Sequence, residues 1–463
     1  MDSKSKRIRV AIVGGGIGGL CLAIGLVKQP HLDVVVFESI AGYKDIGAGL
    51  ALHQNALKAM DLISPSIKDA YFSSAHTISS EANLEMSTKV LLASGPQAGA
   101  LVAELGKAKG RSTIARSDLL SALYALLPPS RVHFSKRLSS ITPNPDDTQT
   151  LTFTDSATAT ADCVLGADGL HSHVRAHILG PSHPAVPPQN HDKWQIYRTL
   201  VPMSVAKEYI APHLLSTVPI LCGPKGHINI MPLHRGADVS AGVAVRGAHV
   251  PGQDVAPELR LADFEGYTPE ARRVVELVAR DTSASWAAAD HDHAPTYVRD
   301  NVGIMGDAAH TSMPFAGNGA GQAIEDSAVL CALFGALDSV GTGAEVRRGY
   351  IPLLLKAYDA VRRPRSQKVV ELARDFGRLY GFALEGYGDD VQKMRGFFKE
   401  RAAFTNNVDL KAQNQEAVDL FWKLVGMERG GWEMRERSDS AQGSEKELAL
   451  DVPETVTPDM VAV

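Results

Sequence analysis

Short apolar runs and glycine-rich turns alternate at the start of the chain. An apolar run at Ile8–Val13 is followed by consecutive glycines, by the helix-like apolar stretch Leu20–Val27 and by a valine-rich run at Asp33–Phe37. Short β-branched runs bounded by turn residues are typical of buried strands, and strands that alternate with helices are typical of a parallel sheet. The pattern therefore predicts a β-α-β unit over residues 8–37.

The pattern changes in the middle of the chain. Residues 194–247 alternate apolar and polar positions, which predicts an antiparallel sheet, and the proline-rich segment 181–188 marks a boundary before it. A buried-strand pattern returns at Asn301–Met305 and leads into an apolar helix at Gly319–Leu337. We therefore expect the first sheet to resume after the middle sheet.

The C-terminal part predicts helices. Residues 350–380 have a helical pattern that we expect to break at Pro364, because proline lacks the N–H that an interior helical position donates. Residues 388–426 are also predicted to be helical. From about Arg435 the chain is charged and contains serine and proline, so we predict a disordered tail.

Composition places the chain among globular proteins. Of its 463 residues, 44% are hydrophobic and 21% are charged, and 47 basic against 52 acidic side chains give a net charge of −5. These values exclude a mainly disordered or collagen-like chain, and they lack the basic footprint of a nucleic-acid-binding protein. A prior of about 150 residues per domain predicts roughly two to four domains.

The sequence favours a cytoplasmic enzyme with no membrane span. The N-terminus is polar and lacks the apolar core of a signal peptide, and no uninterrupted apolar run reaches the ~18–20 residues of a membrane span. The cysteines are widely spaced, which is typical of a reducing compartment rather than of a disulfide framework or a cysteine zinc site. They are Cys21, Cys163, Cys222 and Cys331.

The first glycine-rich turn carries a nucleotide-binding pattern. Gly14, Gly16 and Gly19 have the spacing GxGxxG, and Glu38 follows 19 residues later at the end of the second predicted strand. One glycine makes the tight turn, one lets the backbone approach a pyrophosphate and one allows close packing, while the acid accepts hydrogen bonds from a ribose. The motif predicts a dinucleotide site, and the alternative is a plain glycine-rich turn.

Two distal segments point to a flavin. Gly306-Asp307 ends a predicted strand, and a glycine-rich loop then leads to a helix that begins near Gly319 and Ala320. The Asp307 carboxylate can hold a ribityl hydroxyl, and a helix N-terminus favours the negative charge of a reduced isoalloxazine. The other segment, Asp168-Gly169, follows another buried run and precedes Arg175. The alternatives are an ordinary capped connection, an ordinary turn and a surface ion-pair arginine.

Taken in order, these motifs resemble those of the single-component FAD-dependent aromatic hydroxylases of the para-hydroxybenzoate hydroxylase type. The segment Gly317–Asp326 is most similar to the salicylate hydroxylase-like branch, and the resemblance spans roughly residues 8–370. It implies an α/β fold, in which a Rossmann-like FAD-binding domain of the GR2 type carries an inserted substrate domain on a mainly antiparallel sheet, followed by C-terminal helices. The implied segments are 1–180 (FAD-binding, first part), 181–300 (substrate-binding), 301–380 (FAD-binding, completing part), 381–434 (helical) and 435–463 (disordered).

The resemblance also implies roles for individual residues. By it, Gly14–Gly19 bind the ADP part of FAD, Asp307 binds the ribityl chain, and Asp168-Gly169 contacts FAD and assists NAD(P)H. Arg116 matches the family arginine that meets the flavin, and Ala51, in the loop 47–51, matches a backbone contact to FAD. From the residues alone, the alternative for Arg116 is an exposed arginine at a helix start.

The reaction follows from the same resemblance. NAD(P)H reduces FAD, the reduced flavin and dioxygen give a C4a-hydroperoxide, and oxygen is transferred to an aromatic, phenolic or heteroaromatic, small molecule in secondary metabolism or aromatic catabolism. The alternatives are a flavin oxidoreductase of the same fold without hydroxylation and a non-catalytic FAD-binding scaffold. The substrate, the position hydroxylated, the choice between NADH and NADPH and the oligomeric state stay open.

Arg198 is our first candidate catalytic residue, because a nearby cation favours the more reactive phenolate of a phenolic substrate. It lies in the predicted substrate sheet beside the second candidate, Tyr197, and it is similar to an arginine of the fungal dearomatising phenol hydroxylases. Those enzymes also use a tyrosine on a following strand, where Asn229 and Met231 stand here, so ordinary ring hydroxylation is favoured. The alternative is an arginine that forms an ion pair on the sheet face.

Two further residue patterns are predicted to have structural rather than functional roles. His171 and His173, and likewise His291 and His293, are two residues apart, and we predict turn or surface histidines and no metal site. The basic run Arg362–Arg365 is expected to form a solvated face, and a contact to the phosphates of the nicotinamide cofactor is the alternative.

Overall fold

The computed structural model describes residues 7–43, 49–77, 85–109, 112–252, 255–340 and 343–438. Residues 1–421 form one compact unit, and residues 422–463 are assigned to a second. The strands, numbered β1 to β19, are Ile8–Val13, Leu32–Phe37, Gly49–Leu50, His76–Thr77, Glu85–Leu92, Leu101–Lys109, Ser112–Ala115, Val132–His133, Leu138–Pro143, Gln149–Phe153, Thr158–Ala161, Cys163–Gly166, Gln195–Pro202, Val218–Gly223, Gly226–Leu233, Asp238–Val245, Ala284–Ala287, Val298–Arg299 and Val302–Ile304. The helices, numbered α1 to α14, are Ile17–Leu26, Gln54–Ile63, Pro65–Ser74, Arg116–Tyr124, His173–Leu179, Met203–Tyr209, Pro212–Leu215, Pro269–Ala279, Asp307–His310, Gly319–Leu337, Ala344–Gly349, Ile351–Tyr380, Val391–Asn406 and Leu410–Ser438.

The first sheet brings the predicted motifs together. Its strand order is β18-β19-β12-β1-β2-β8, and all pairs are parallel except the edge pair of β18 and β19. The β-α-β unit of β1, α1 and β2 confirms the prediction. Because β1, β12 and β19 are neighbours and run in the same direction, the loops that follow them lie at one edge of the sheet.

The second sheet has the order β17-β13-β16-β15-β14-β5-β6 and is antiparallel apart from the pair of β14 and β5. A mainly antiparallel substrate sheet is therefore confirmed. The sheet extends beyond the segment 181–300 that was assigned to substrate binding, since β5 and β6 belong to the segment assigned to 1–180. Strand pairing joins residues that are far apart in sequence, so the proline-rich boundary did not reveal these two strands.

Helix α12 runs without interruption through Pro364, so the predicted break is wrong. The residues on both sides of the proline are fixed by ion pairs to α10. Arg362 donates to Asp326 Oδ1 and to Glu325 Oε2, each at 2.7 Å, and Arg365 donates to Glu325 Oε2 at 2.8 Å. These ion pairs keep the helix continuous at Pro364, where one backbone hydrogen-bond donor is missing.

The predicted solvated face at Arg362–Arg365 is also wrong for its first residue. Arg362, Glu325 and Asp326 are all completely buried. Burial opposes the charge of Asp326, but His310 and Arg362 outweigh it and hold the pKa of that carboxyl at about 2. A contact of Arg362 to a cofactor phosphate is ruled out in this arrangement, because its donors are taken by residues of α10 and by Gln413 of α14.

Helix α10 is the core helix of the FAD-binding part. By length and composition it is the one described helix that is apolar enough to cross a membrane, yet 72% of that stretch is buried inside the protein. This burial is typical of a core helix, as predicted. At the other end of the chain, the predicted tail begins too early, since α14 continues to Ser438, and residues 439–463 lie outside the described residues.

We expect Arg362→Met to lower the free energy of unfolding by about 3–5 kcal/mol, because Glu325 and Asp326 each lose a buried charged partner and keep only Arg365 and His310. Urea unfolding followed by circular dichroism measures this loss. The matched control is Arg363→Met on the same helix, whose half-buried partner is Asp359; it should lower stability by less than about 1 kcal/mol. Equal losses in the two variants would show that the buried network is not a major source of stability.

Candidate active site

A cavity of about 390 Å³ lies where the loops after β1, β12 and β19 meet the substrate sheet. The first loop contributes Gly16 and Gly19, the second Gly169 and the third Asp307. The N-terminus of α10, with Gly319 and Ala320, completes this side of the cavity. The structure therefore gathers motifs that are separated by more than a hundred residues.

The first loop is shaped for close backbone approach. Gly14 has a φ of +110°, and a Cβ at this position would collide with the carbonyl oxygen of Ala167. A Cβ on Gly16 would meet only Arg116 Nη2, at 3.8 Å, so this residue faces open space. Helix α1 begins at Ile17 with no side-chain cap. Its first N–H groups are therefore available to an anion such as a pyrophosphate.

Glu38 lies directly behind this loop. Its Oε2 accepts a hydrogen bond from the Gly15 N–H at 2.6 Å, and its Oε1 accepts one from the Ile40 N–H at 2.9 Å. Tyr43, which sequence reasoning missed, donates to the Gly15 carbonyl at 2.7 Å. Glu38 is buried and does not line the cavity wall, so its contact to a ribose stays a prediction while its observed role is to brace the loop.

Asp307 follows β19 and presents its side chain to the cavity. The described residues offer no hydrogen-bond partner to its carboxylate. A Cβ on Gly319 would lie 3.9 Å from Asp307 Oδ1, which places the carboxylate beside the start of α10. Asn318 precedes that helix, but its amide bonds to Asn55 and Gln322 instead of capping it. Both the acid and the helix N-terminus are thus free to receive a ligand.

The segment after β12 divides between structure and cavity. Gly169 lines the cavity, whereas Asp168 accepts hydrogen bonds from the His173 N–H and from Ser172 Oγ, the N-cap residue of α5, and so holds the start of that helix. Burial raises the pKa of Asp168. Its predicted contacts to FAD and NAD(P)H therefore stay predictions.

Arg175 and His291 are buried, so the surface alternative for Arg175 is not observed and the expectation of a surface histidine is wrong for His291. The Arg175 guanidinium donates to the carbonyls of Leu170, Val186 and Ala308 and lies 2.6 Å from His291 Nε2. Burial and the adjacent Arg175 lower the pKa of His291 to about 4, so this imidazole is neutral, and its Nε2 also lies 2.8 Å from the Leu170 carbonyl oxygen. These contacts fix the turn that holds Gly169.

Arg116 and Ala51 both line the cavity, as the family resemblance implies. Arg116 is the first residue of α4 and is half-buried beside Gly16. Ala51 follows β3, while residues 44–48, which include the start of the predicted loop 47–51, lie outside the described residues. Contact of either residue with the flavin stays a prediction.

The two candidate catalytic residues point to opposite faces of β13. Arg198 lines the cavity, as do its same-face neighbours Ile196 and Asn229. Tyr197 packs in the core on the other face, and its hydroxyl donates to the Pro257 carbonyl at 2.7 Å. Successive residues of a strand face opposite sides, so Tyr197 cannot share the cavity with Arg198 and is not retained as a catalytic candidate.

Arg198 carries a charge with no acid beside it. Within the described residues it has no ion pair and no hydrogen-bond partner, and its buried Nε is unpaired. Its guanidinium carbon lies 5.0 Å from the centroid of the Trp286 ring. Burial lowers its pKa. The alternative of an arginine paired with an acid on the sheet face is therefore not observed.

Sequence reasoning missed two polar residues of the cavity, His227 and Tyr380. Burial lowers the pKa of His227 to about 3, so its imidazole is neutral. The part of the chain that the structure describes offers no hydrogen-bond partner to its buried Nδ1 or to the buried Tyr380 hydroxyl, and the two ring centroids are 5.0 Å apart. The strand alternation around His227 predicted a sheet but carried no signal for which face meets the cavity.

Comparison with known proteins identifies the family. Residues 7–373 match the family described as FAD binding domain. The chain is 38% identical over 430 residues to 6-methylsalicylate 1-monooxygenase of Aspergillus terreus, which covers 91% of this chain and 94% of that protein. The chain belongs to this family of FAD-dependent monooxygenases.

Further relatives agree with this assignment. The monooxygenase is 31% identical over 459 residues to a salicylate hydroxylase of Pseudomonas putida, covering 96% of this chain and 99% of that one. A solved salicylate hydroxylase in complex with its substrate superposes with a TM-score of 0.75, at 29% identity, and covers 89% of this chain and 98% of that chain. The fold expected from the resemblance is therefore confirmed, and so is FAD as the cofactor.

The residues of the cavity fit FAD. Gly16 and the N–H groups at the start of α1 suit the pyrophosphate, the unengaged Asp307 carboxylate suits the ribityl hydroxyls, and the uncapped start of α10 suits the electron-rich edge of the isoalloxazine. When bound, FAD supplies electron transfer from NAD(P)H to dioxygen. The protein positions the flavin and determines its surroundings.

We expect Asp307→Ala to weaken FAD binding by about tenfold to a hundredfold, because a charged hydrogen-bond acceptor is removed. Flavin absorbance per protein after gel filtration, with FAD titrated back, measures the change. Asp69→Ala, on an exposed position of α3, is the control and should keep full flavin occupancy. Wild-type affinity in Asp307→Ala would remove Asp307 from the cofactor site.

We also expect His227 to make the protein sensitive to acid. Its pKa is 6.5 when unperturbed and about 3 in the folded state. As the pH falls through this window, the unfolded chain takes up a proton that the folded chain refuses. The stability contributed by the neutral imidazole is therefore complete above pH 6.5 and is lost below it, by up to about 1.4 kcal/mol per pH unit.

Urea unfolding at about pH 7 and about pH 5 tests this expectation. His227→Phe should lose less stability between the two conditions than the wild type, while His213→Gln, at an exposed position of α7, should lose as much as the wild type. If His227→Phe and the wild type lose the same amount, the imidazole is not held neutral in the folded state.

Proposed function

We propose that this monooxygenase hydroxylates an aromatic acid of the salicylate type, with NAD(P)H and dioxygen as co-substrates. The observation that carries the proposal is the unpaired Arg198 guanidinium on the cavity wall. An unneutralised, largely buried cation favours an anionic ligand, and arginine suits a carboxylate because its donors form a planar fork.

The strand register of the substrate sheet supports a substrate that carries a hydroxyl group next to its carboxylate on the aromatic ring. Arg198 pairs with Gly242, and Gly242 pairs with Asn229, so one row across the sheet holds a cation, a gap and an amide. A Cβ on Gly242 would collide with Asn229 Oδ1, which shows that the amide leans into the gap. We infer that the ring lies over this gap, with its carboxylate at Arg198 and its hydroxyl at Asn229.

The relatives support the same substrate class. One is named for 6-methylsalicylate and others are named for salicylate. In our proposal one oxygen atom of dioxygen enters the ring, the other leaves as water, and NAD(P)H provides the two electrons. Arg198 holds the substrate by its carboxylate. Phe315, beside Pro314 and Ala316, forms an apolar wall that excludes water and so limits the unproductive release of peroxide.

We also propose that the enzyme is cytoplasmic, as its sequence predicts. All four cysteines are free thiols, and three of them are buried, which is compatible with a reducing compartment such as the cytoplasm.

We expect salicylate to stimulate NAD(P)H oxidation and oxygen uptake, with formation of a product that carries one added oxygen. Arg198→Ala should raise the KM for salicylate by about tenfold to a hundredfold while FAD stays bound, because the carboxylate loses its charged partner. An oxygen electrode measures oxygen uptake, absorbance measures NAD(P)H oxidation and the KM, and mass spectrometry identifies the product. Mass spectrometry also shows whether the product keeps its carboxyl group or loses it as CO₂.

The matched control is Arg246→Ala, at the end of β16, where the guanidinium lies 3.8 Å from Asp192 and does not line the cavity. It should keep the wild-type KM. NAD(P)H oxidation that salicylate and related hydroxybenzoates do not stimulate would contradict the proposed substrate class. A product without added oxygen would support an oxidoreductase that does not hydroxylate.

A further inference from the structure

Trp286 is a large aromatic side chain at the edge of the substrate sheet. It lies on β17, the outermost strand, where it pairs with Ile196 of β13. Residues directly opposite in an antiparallel pair share a face, so Trp286 stands on the same face as the cavity residues Ile196 and Arg198. Its side chain is 39% exposed, so core packing alone does not account for a residue of this size here.

The contact that Trp286 does make is with Arg198. The guanidinium carbon lies 5.0 Å from the centroid of its ring, over the face that carries negative π density. No carboxylate among the described residues pairs with Arg198. The aromatic face is therefore the one described group that attracts this cation.

An aromatic partner differs from an acid in its effect on a substrate. A carboxylate would neutralise the guanidinium and compete with an incoming anion for its N–H donors. A ring face attracts the cation without carrying net charge and leaves the in-plane donors free. It also restricts the long side chain before the substrate arrives, so less conformational entropy is lost on binding.

We propose that Trp286 is a positioning residue that holds the Arg198 guanidinium ready for the carboxylate of the substrate. The proposal rests on the proposed function, because it requires that Arg198 receives an anion. It adds a residue outside the cavity wall to the determinants of substrate affinity, and it assigns that residue an effect on acid binding rather than on the chemical step.

Two replacements of Trp286 separate its π face from its bulk. Trp286→Phe keeps an aromatic face, whereas Trp286→Leu keeps an apolar side chain without one. Calorimetric titration of the FAD-loaded enzyme with salicylate should give a Kd about three- to tenfold higher for Trp286→Leu and within about twofold of wild type for Trp286→Phe. The rate at saturating salicylate should be unchanged in both variants, since only binding is affected.

Three comparisons complete the experiment. The affinity for phenol, which lacks the carboxylate, should not change in Trp286→Leu. In the Arg198→Ala background the same replacement should have no further effect on salicylate binding, because its effect passes through the arginine. Phe72→Leu, an exposed aromatic position on α3, should bind salicylate like the wild type.

The outcomes distinguish this proposal from the one on which it rests. Equal Kd values for the wild type and Trp286→Leu, in an enzyme that turns over salicylate, would overturn the role of Trp286 and leave the proposed function standing. A Phe variant as weak as the Leu variant would likewise overturn the π-face argument. A wild-type enzyme that binds neither salicylate nor benzoate would overturn the proposed function and the role of Trp286 with it.

Discussion

One buried guanidinium determines the geometry of the FAD side of the cavity. Arg362 lies on α12 and pairs with Glu325 and Asp326 of α10. Asp326 in turn accepts hydrogen bonds from the Gly306 N–H at 2.8 Å and from His310 Nε2 at 2.6 Å. A buried charge is tolerated only when its partners are complete, so the helix, the loop after β19 and the arginine are stable only in this joint arrangement.

The network extends from this point to the start of α10. Glu325 accepts a hydrogen bond from Asn55 of α2, and Asn55 also bonds to Asn318, the residue before the helix. Side-chain hydrogen bonds through Asn55 therefore hold in place the helix N-terminus that we assign to the isoalloxazine. No side chain among the described residues caps its backbone N–H groups. A rigid, uncapped helix end of this kind favours negative charge without reorganisation.

Arg198 illustrates the opposite use of the same residue type. Arg362 is matched by acids and contributes to stability, whereas Arg198 faces the cavity with an aromatic ring as its neighbour and pairs with no acid among the described residues. Small residues on the middle strand, Gly242 and Ala244, leave room beside it. The molecule thus separates a charge that stabilises the fold from a charge that is available to a ligand.

The sequence by itself determined the parts of this protein that depend on local pattern. The β-α-β unit, the turn at Gly14–Gly19, the antiparallel middle sheet and the helix Gly319–Leu337 follow from residue periodicity and from the backbone demands of glycine. Only the tertiary structure decided that β5 and β6 join the substrate sheet and that Arg198 faces the cavity. It also decided that Arg362 is buried, because strand partners, the buried face of a strand and the counter-ion of a charge come from residues far away in the chain.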